Sequence, residues 1–118
     1  MIVLIIEDDS DLRDIFKEKF ERRGLIVFTA ENGQVGLDIL ANEVIDLVLT
    51  DIQMPIMTGM DFLKFAKNLP IELPPIIVMT GGSPFTSEQI FDAGATAYFN
   101  KLDVTAEKII SVCSKKAA

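Results

Sequence analysis

Short apolar runs alternate with segments of helical periodicity along the whole of this chain. The first run, at 2–6, is continuously apolar, which is typical of a strand buried on both faces of a sheet. The next segment, at 10–23, carries apolar residues at helical spacing: Leu12, Ile15, Phe16 and Phe20. Further strands are predicted at 25–29, 46–50, 75–79 and 96–100, each followed by a helical segment. The pattern predicts an α/β fold with a doubly wound, five-stranded parallel sheet.

Helix and domain boundaries follow from the same pattern. Gly24 and Gly94 come directly after apolar-periodic segments, where glycine is favoured as a helix cap. A third helix is predicted from the stripe formed by Phe62, Phe65, Ala66 and Leu69, and a last helix over 104–116. The chain has 118 residues, which is the length of one domain, and we expect a single domain over 1–118.

Charged side chains follow three of the predicted strands, at the point where each strand ends. Glu7 and Asp8 follow the first strand, Asp51 the third and Lys101 the fifth. The carboxyl ends of parallel strands meet at one edge of the sheet, so we expect these groups to lie together, with the first and third strands as neighbours. Three carboxylates and one lysine leave a charge of about −2, which predicts a divalent cation held by oxygen ligands, and we expect Mg²⁺.

Composition excludes several classes of function. The formal net charge is −7, which disfavours direct binding to nucleic acid or to an anionic membrane surface. The single cysteine permits no intrachain disulfide, which fits a reducing cytoplasm. The absence of histidine excludes a histidine base, metal ligand or phosphocarrier within this sequence. No apolar stretch approaches the length of a membrane span.

The strand-end residues suit phosphoryl transfer. An aspartate beside a metal can attack phosphorus and form an acyl phosphate, which favours Asp51 as the nucleophile. Lys101 can pair with a phosphoryl oxygen, and Thr80, at the end of the fourth strand, offers a hydroxyl donor. Simpler interpretations stay open: Asp9 or Ser10 is expected to cap a helix, and Tyr98 could be ordinary packing.

A resemblance rests on four motifs that occur in order along the chain. They are Ile5-Ile6-Glu7-Asp8-Asp9, Asp51-Ile52-Gln53-Met54-Pro55 with Gly59, Met79-Thr80-Gly81, and Tyr98-Phe99-Asn100-Lys101. Together they resemble the receiver domain of two-component response regulators. The resemblance implies a flavodoxin-like (βα)5 fold with strand order 2-1-3-4-5. It also implies an aspartate that is phosphorylated by the phosphohistidine of a sensor histidine kinase or phosphotransfer protein.

The resemblance also implies a role for each site residue. Asp51 would be the phosphoacceptor and Lys101 the phosphate-binding lysine. Mg²⁺ would be bound by Asp8, by Asp51, by the backbone carbonyl of Gln53, and through its water shell by Glu7. The switch residues would be Thr80 and Tyr98.

The implied function is a cytoplasmic signalling switch that catalyses only its own phosphorylation and dephosphorylation. Phosphorylation would change the face formed by the fourth helix, fifth strand and fifth helix, and so regulate an unknown output protein. The chain would be a monomer or would dimerise through that face.

One departure and two alternatives remain. Leu102 follows Lys101, where the family usually has a proline, so a trans peptide bond is the default there. A degenerate receiver that acts as a phosphorylation-independent scaffold is one alternative. An aspartate-nucleophile phosphatase is the other, although its usual acid pair would bring the nucleophile to the first strand.

Overall fold

The strands of the chain form one parallel sheet in the order β2-β1-β3-β4-β5. The computed structural model describes residues 1–82 and 84–117, the last four of them (114–117) by their backbone alone. Within that part of the chain the strands are β1 Ile2–Ile6, β2 Ile26–Ala30, β3 Leu47–Asp51, β4 Ile76–Thr80 and β5 Ala97–Asn100. The α/β fold, the doubly wound parallel sheet and the strand order expected from the sequence are thereby confirmed.

Helices cover both faces of this sheet and divide its core into two layers. They are α1 Ser10–Arg22, α2 Gly33–Asn42, α3 Gly59–Ala66, α4 Ser87–Asp92 and α5 Ala106–Ala117. On one face, Leu40 of α2, Phe62 of α3 and Ile90 of α4 pack against the sheet. On the other face, Phe20 of α1 and Ile109 of α5 do the same. Since both faces are covered, β1 is apolar throughout, and β3 and β4 are apolar up to the polar residues at their carboxyl ends.

The end of β1 and the start of α1 are fixed by local hydrogen bonds. The Asp9 carboxylate caps α1 by accepting from the backbone N–H groups of Asp11 at 3.0 Å and Leu12 at 3.2 Å. Gly24 follows the helix with φ +83°, a conformation that favours glycine. This short, capped connection directs the chain from the site edge of the sheet straight into α1.

Two details of the predicted helix faces are wrong. Ile15 and Phe65 were both expected on buried stripes, but each side chain is about half exposed. The two helices contact the sheet through Phe16, Phe20, Phe62 and Leu63. A helix presents only part of its circumference to the core. These four residues occupy that part, and Ile15 and Phe65 lie at the boundary between the core and solvent.

No helix in the described part of the chain combines the length and the apolar character needed to cross a membrane.

Candidate functional site

The carboxyl edge of the sheet brings three carboxylates together. Glu7 follows β1 and Asp51 ends β3, and these strands are hydrogen-bonded neighbours, with Ile6 opposite Thr50. One carboxylate oxygen from each of Glu7, Asp8 and Asp51 lies within 4.8 Å of the others. Glu7 is 0% exposed and Asp51 2%, whereas Asp8 faces solvent. The cluster therefore has a buried floor and an open rim.

Lys101 reaches into this cluster from the far edge of the sheet. Its Nζ lies 2.6 Å from Asp51 Oδ2 and 2.9 Å from Glu7 Oε1. Lys101 starts a short 3₁₀ helix, Lys101–Asp103, in which the Asn100 side chain accepts a hydrogen bond from Leu102 N at 3.0 Å. All peptide bonds of the described residues are trans, so the missing proline does not prevent Lys101 from reaching the acids. Leu102 itself is 94% exposed.

Burial and hydrogen bonding shift the pKa values of Glu7 and of the partly buried Lys101. Burial, followed by a hydrogen bond with Asp51, raises the pKa of Glu7 from 4.5 to about 8. Burial alone would lower the pKa of Lys101, but its hydrogen bonds to Asp51 and Glu7 outweigh burial, and the pKa is raised. Without a bound cation, the site thus favours a protonated Glu7 beside a charged Lys101.

The donor set fits Mg²⁺. Carboxylate oxygens are the ligands that hard divalent cations prefer, and three of them converge here. A cation would also counteract the effects that raise the pKa of Glu7, which are burial and then the neighbouring Asp51. Gln53 donates its backbone N–H to Asp51 Oδ1 at 3.2 Å, and its side chain is exposed. Its role as a carbonyl ligand stays a prediction.

The two expected switch residues lie on neighbouring strands beside the cluster. Thr80 ends β4, which pairs with β3, and its buried hydroxyl accepts a hydrogen bond from Gly82 N at 3.0 Å. Tyr98 lies on β5, is half-buried and packs against the core layer under α4. Their roles in a switch stay predictions.

Gly59 brings α3 against the end of β3. A Cβ at this position would lie 2.5 Å from the backbone oxygen of Asp51 and 2.7 Å from the Cα of Ile52. Gly59 N also donates to Ile52 O at 2.8 Å. Only a residue without a side chain permits this approach, which explains in physical terms why glycine follows the Asp51 motif.

The loop between β3 and α3 contains a strained residue. Ile56 has φ +70°, a conformation in which a β-branched side chain crowds its own backbone. The side chain is 83% exposed, whereas Met54 and Met57 on either side are buried. The two methionines therefore anchor the loop, and Ile56 takes up the strained turn between them.

Two contributors to the site escaped sequence analysis. Arg13 donates from Nη1 to the backbone oxygen of Glu7 at 2.8 Å. Since its partner is a main-chain atom, no pairing of residue types in the sequence reveals it. Asn100 caps the short helix of Lys101, and its place directly before that helix is a preference that could have indicated the role.

Sequence comparison identifies the family of this chain and relatives that match most of its length. The family model described as the response regulator receiver domain matches residues 3–113. Sporulation initiation phosphotransferase F of Bacillus subtilis is 33% identical over 84% of this chain and 80% of its own length. The transcriptional regulatory protein CpxR of Escherichia coli is 34% identical over 84% of this chain and 42% of its own length. The chain thus spans less than half of the latter protein.

Structural comparison gives the same result. The response regulator receiver domain protein from Clostridium thermocellum superposes with a TM-score of 0.84 and 30% identity. The superposition covers 98% of this chain and 96% of that one. The match therefore includes all the strands and helices that form the site edge. On the family match, the sequence identity and the shared fold, the chain belongs to the response regulator receiver domains, the signalling domains of two-component systems.

Proposed function

We propose that Asp51 accepts a phosphoryl group from the phosphohistidine of a sensor histidine kinase or phosphotransfer protein, in a Mg²⁺-dependent reaction. The observation that carries this proposal is the surroundings of Asp51: a buried carboxylate with Lys101 Nζ at 2.6 Å and two further acids within 4.8 Å. Like charges gathered in one place repel each other, so a cluster of acids that served folding alone would have no reason to form.

Each residue of the site would have a separate role in the reaction. An Asp51 carboxylate oxygen forms the new O–P bond while the N–P bond of the phosphohistidine breaks, and the electron pair of that bond stays on the imidazole. Lys101, kept charged by its hydrogen bonds, pairs with a phosphoryl oxygen. Gln53 N, already bonded to Asp51 Oδ1, holds the carboxylate in place. Such positioning and charge neutralisation are most of what phosphoryl transfer requires.

The metal site would be formed by Asp8 and Asp51 directly, by the Gln53 carbonyl, and through water by Glu7. Bound Mg²⁺ supplies charge neutralisation and polarises a phosphoryl oxygen. Glu7 would lose its proton when the site is filled, since its raised pKa results from burial and from the neighbouring Asp51. Lys101 contacts both Glu7 and Asp51. It would therefore keep a carboxylate partner with the metal site empty or filled.

Phosphorylation would be transmitted through Thr80 and Tyr98. The Thr80 hydroxyl, which accepts from Gly82 N in this structure, would turn its hydrogen bond toward the phosphoryl group. Tyr98 is half-buried under α4 and would rotate with that change. The altered surface would be the α4–β5–α5 face, where Phe91 of α4 is exposed. Two packings of this one element, biased by phosphorylation, are sufficient for a switch.

The partners follow from this mechanism. One is the phosphohistidine donor, and the other is an output protein that reads the α4–β5–α5 face. The net charge of −7 disfavours nucleic acid as a direct ligand. The chain would work in the cytoplasm as a monomer or as a dimer through this face, and would turn over no substrate besides its own phosphoryl group.

The proposal is tested by locating the phosphoryl group. The protein is incubated with Mg²⁺ and phosphoramidate, a small donor with the same N–P bond as phosphohistidine. The product is reduced with borohydride, which converts an aspartyl phosphate to homoserine, and peptides are sequenced by mass spectrometry. We expect homoserine at position 51 and no change in Asp51→Asn. Modification at another carboxylate, or none, would contradict the proposal.

A further inference from the structure

The peptide bond between Glu7 and Asp8 is held at both of its polar atoms. Its carbonyl, on Glu7, accepts a hydrogen bond from Arg13 Nη1 at 2.8 Å. Its N–H, on Asp8, donates to Glu7 Oε2 at 3.1 Å. The first of these hydrogen bonds comes from a charged guanidinium, and charge-assisted bonds of this kind are stronger than neutral ones. Rotation of this peptide plane would break both.

The orientation of this peptide determines whether the Asp8 carboxylate lies close to Asp51. In an extended strand, successive side chains point to opposite faces of the sheet. Glu7 and Asp8 are successive, yet their carboxylate oxygens lie with that of Asp51 within 4.8 Å. The strand ends at Ile6 and the chain bends at Asp8, next to the peptide bond that Arg13 holds. If the peptide turned back to strand geometry, Asp8 would point away from Asp51.

Arg13 is itself held firmly enough to act as a brace. Its backbone N–H donates to Asp9 O at 2.9 Å, in the first turn of α1. The Asp9 carboxylate caps that turn. On the strand side, Glu7 N donates to Ala30 O of β2 at 3.0 Å. The guanidinium thus joins Glu7 to a residue six positions later in the chain, and so connects a fixed strand end to a fixed helix start.

We propose that Arg13 is a positioning residue for the acid cluster: by holding the Glu7 carbonyl it fixes the peptide that aims Asp8 at Asp51, and so sets the affinity of the site for Mg²⁺. This inference rests on the proposed function, because it takes the cluster to be a Mg²⁺ site. It also explains an arginine side chain that is half-buried next to a site needing a cation.

Charge and position predict opposite effects for Arg13. A guanidinium near a cation site repels the cation, so removing its charge alone would tighten Mg²⁺ binding. Removing the hydrogen bond releases the Glu7–Asp8 peptide, so it would weaken Mg²⁺ binding. The direction of the change in Mg²⁺ affinity therefore shows whether Arg13 positions the Glu7–Asp8 peptide or is only a surface charge on α1.

The test is a Mg²⁺ titration of metal-free protein, followed by amide chemical shifts. We expect Arg13→Met to weaken binding by about 10-fold, the lower range for residues that orient metal ligands. Arg13→Lys keeps the charge and one donor, and we expect an intermediate loss. Lys19→Met removes a cation from an exposed position of the same helix and should change affinity less than about twofold. Unchanged or tighter binding in folded Arg13→Met would overturn the proposal.

Two further measurements keep this test separate from the proposed function. Thermal unfolding shows whether each variant is folded, and if Arg13→Met is not, the weaker binding of Arg13→Lys decides. If the wild-type protein binds no Mg²⁺, the proposed function fails, and hydrogen exchange of the Asp8 amide in metal-free protein decides on Arg13. Faster exchange in Arg13→Met supports the brace, and unchanged exchange contradicts it.

Discussion

Leu4 in the middle of β1 and Glu7 just after its end lie three residues apart, and both are completely buried. Leu4 lies in an apolar layer, where its burial among other apolar side chains stabilises the fold. Glu7 sits among two acids and a lysine, and burial raises its pKa to about 8. The interior of the sheet is arranged for stability, while its carboxyl edge holds charges and a strained loop that folding alone does not require.

This contrast predicts that mutations in the sheet interior and mutations at its carboxyl edge have different effects. Substitutions in the core should lower stability and leave the chemistry of the edge intact. Substitutions at the edge should change the site with small or even favourable effects on stability. The predictions below begin with the largest expected effect.

Phe20→Ala should lower the free energy of unfolding by about 3–5 kcal/mol, because it leaves a cavity under α1. Urea unfolding measures the loss. The variant should still be phosphorylated at a temperature where it is folded. A loss below about 1 kcal/mol would mean that the layer repacks freely, which close-packed interiors do not do.

Gly59→Ala should cost about 1–3 kcal/mol, because the new methyl group would overlap the backbone of Asp51 and Ile52. It should also slow phosphorylation, since relief of the overlap moves Asp51. Gly81→Ala is the matched control: a Cβ there meets no atom within 4 Å, so stability should change little. Equal stability of the two variants would remove the structural reason for glycine at position 59.

Ile56→Gly should raise the free energy of unfolding by about 1 kcal/mol, although it removes an apolar side chain, because glycine adopts φ +70° without strain. Val44→Gly tests the same change at an exposed β-branched residue without positive φ, and it should be neutral or destabilising. If both variants lose stability equally, Ile56 is not strained.

The smallest effect is expected in the pH dependence of metal-free protein. The pKa of Glu7 is about 8 when folded and near 4.5 otherwise, so the folded state holds a proton that the unfolded state has lost between these values. The contribution of Glu7 to stability is therefore present below pH 4.5 and is lost as pH rises through 8. Asp51 and Lys101 face the same carboxyl, but Lys101, whose pKa is raised from 10.5, stays protonated in both states over this range and adds no pH dependence of its own.

Thermal unfolding with and without Mg²⁺ measures this dependence. The rise in Tm caused by Mg²⁺ should be larger at pH 8.5 than at pH 6, because the cation favours the ionised Glu7. Glu7→Gln should remove most of the difference. A larger rise at pH 6 would show that burial does not hold the proton on Glu7.

Much of the fold was predictable from the sequence because its signals are local. Continuous apolar runs such as 2–6 indicate strands covered on both faces, and helical spacing indicates what covers them. Helix faces were predicted less well. The exposure of Ile15 and Phe65 depends on how much of each helix the sheet and its neighbours cover, which is a property of tertiary packing.

The site divides in the same way. Glu7, Asp8, Asp51 and Lys101 were predictable because each follows a strand, and parallel strands bring their ends together. Arg13 was not, because its partner is a main-chain oxygen. The strain at Ile56 was also hidden, since nothing about isoleucine indicates positive φ. The reach of Lys101 without a following proline depends on the path of the chain after β5.

The central claim is that the buried carboxylate of Asp51 is a phosphoacceptor. The most direct test is the intact mass of the protein after incubation with Mg²⁺ and acetyl phosphate, with Asp51→Asn treated in parallel. The account predicts a gain of one phosphoryl group in the wild-type protein, lost when Mg²⁺ is chelated beforehand and absent in Asp51→Asn. No gain at any Mg²⁺ concentration, or an equal gain in Asp51→Asn, would contradict it.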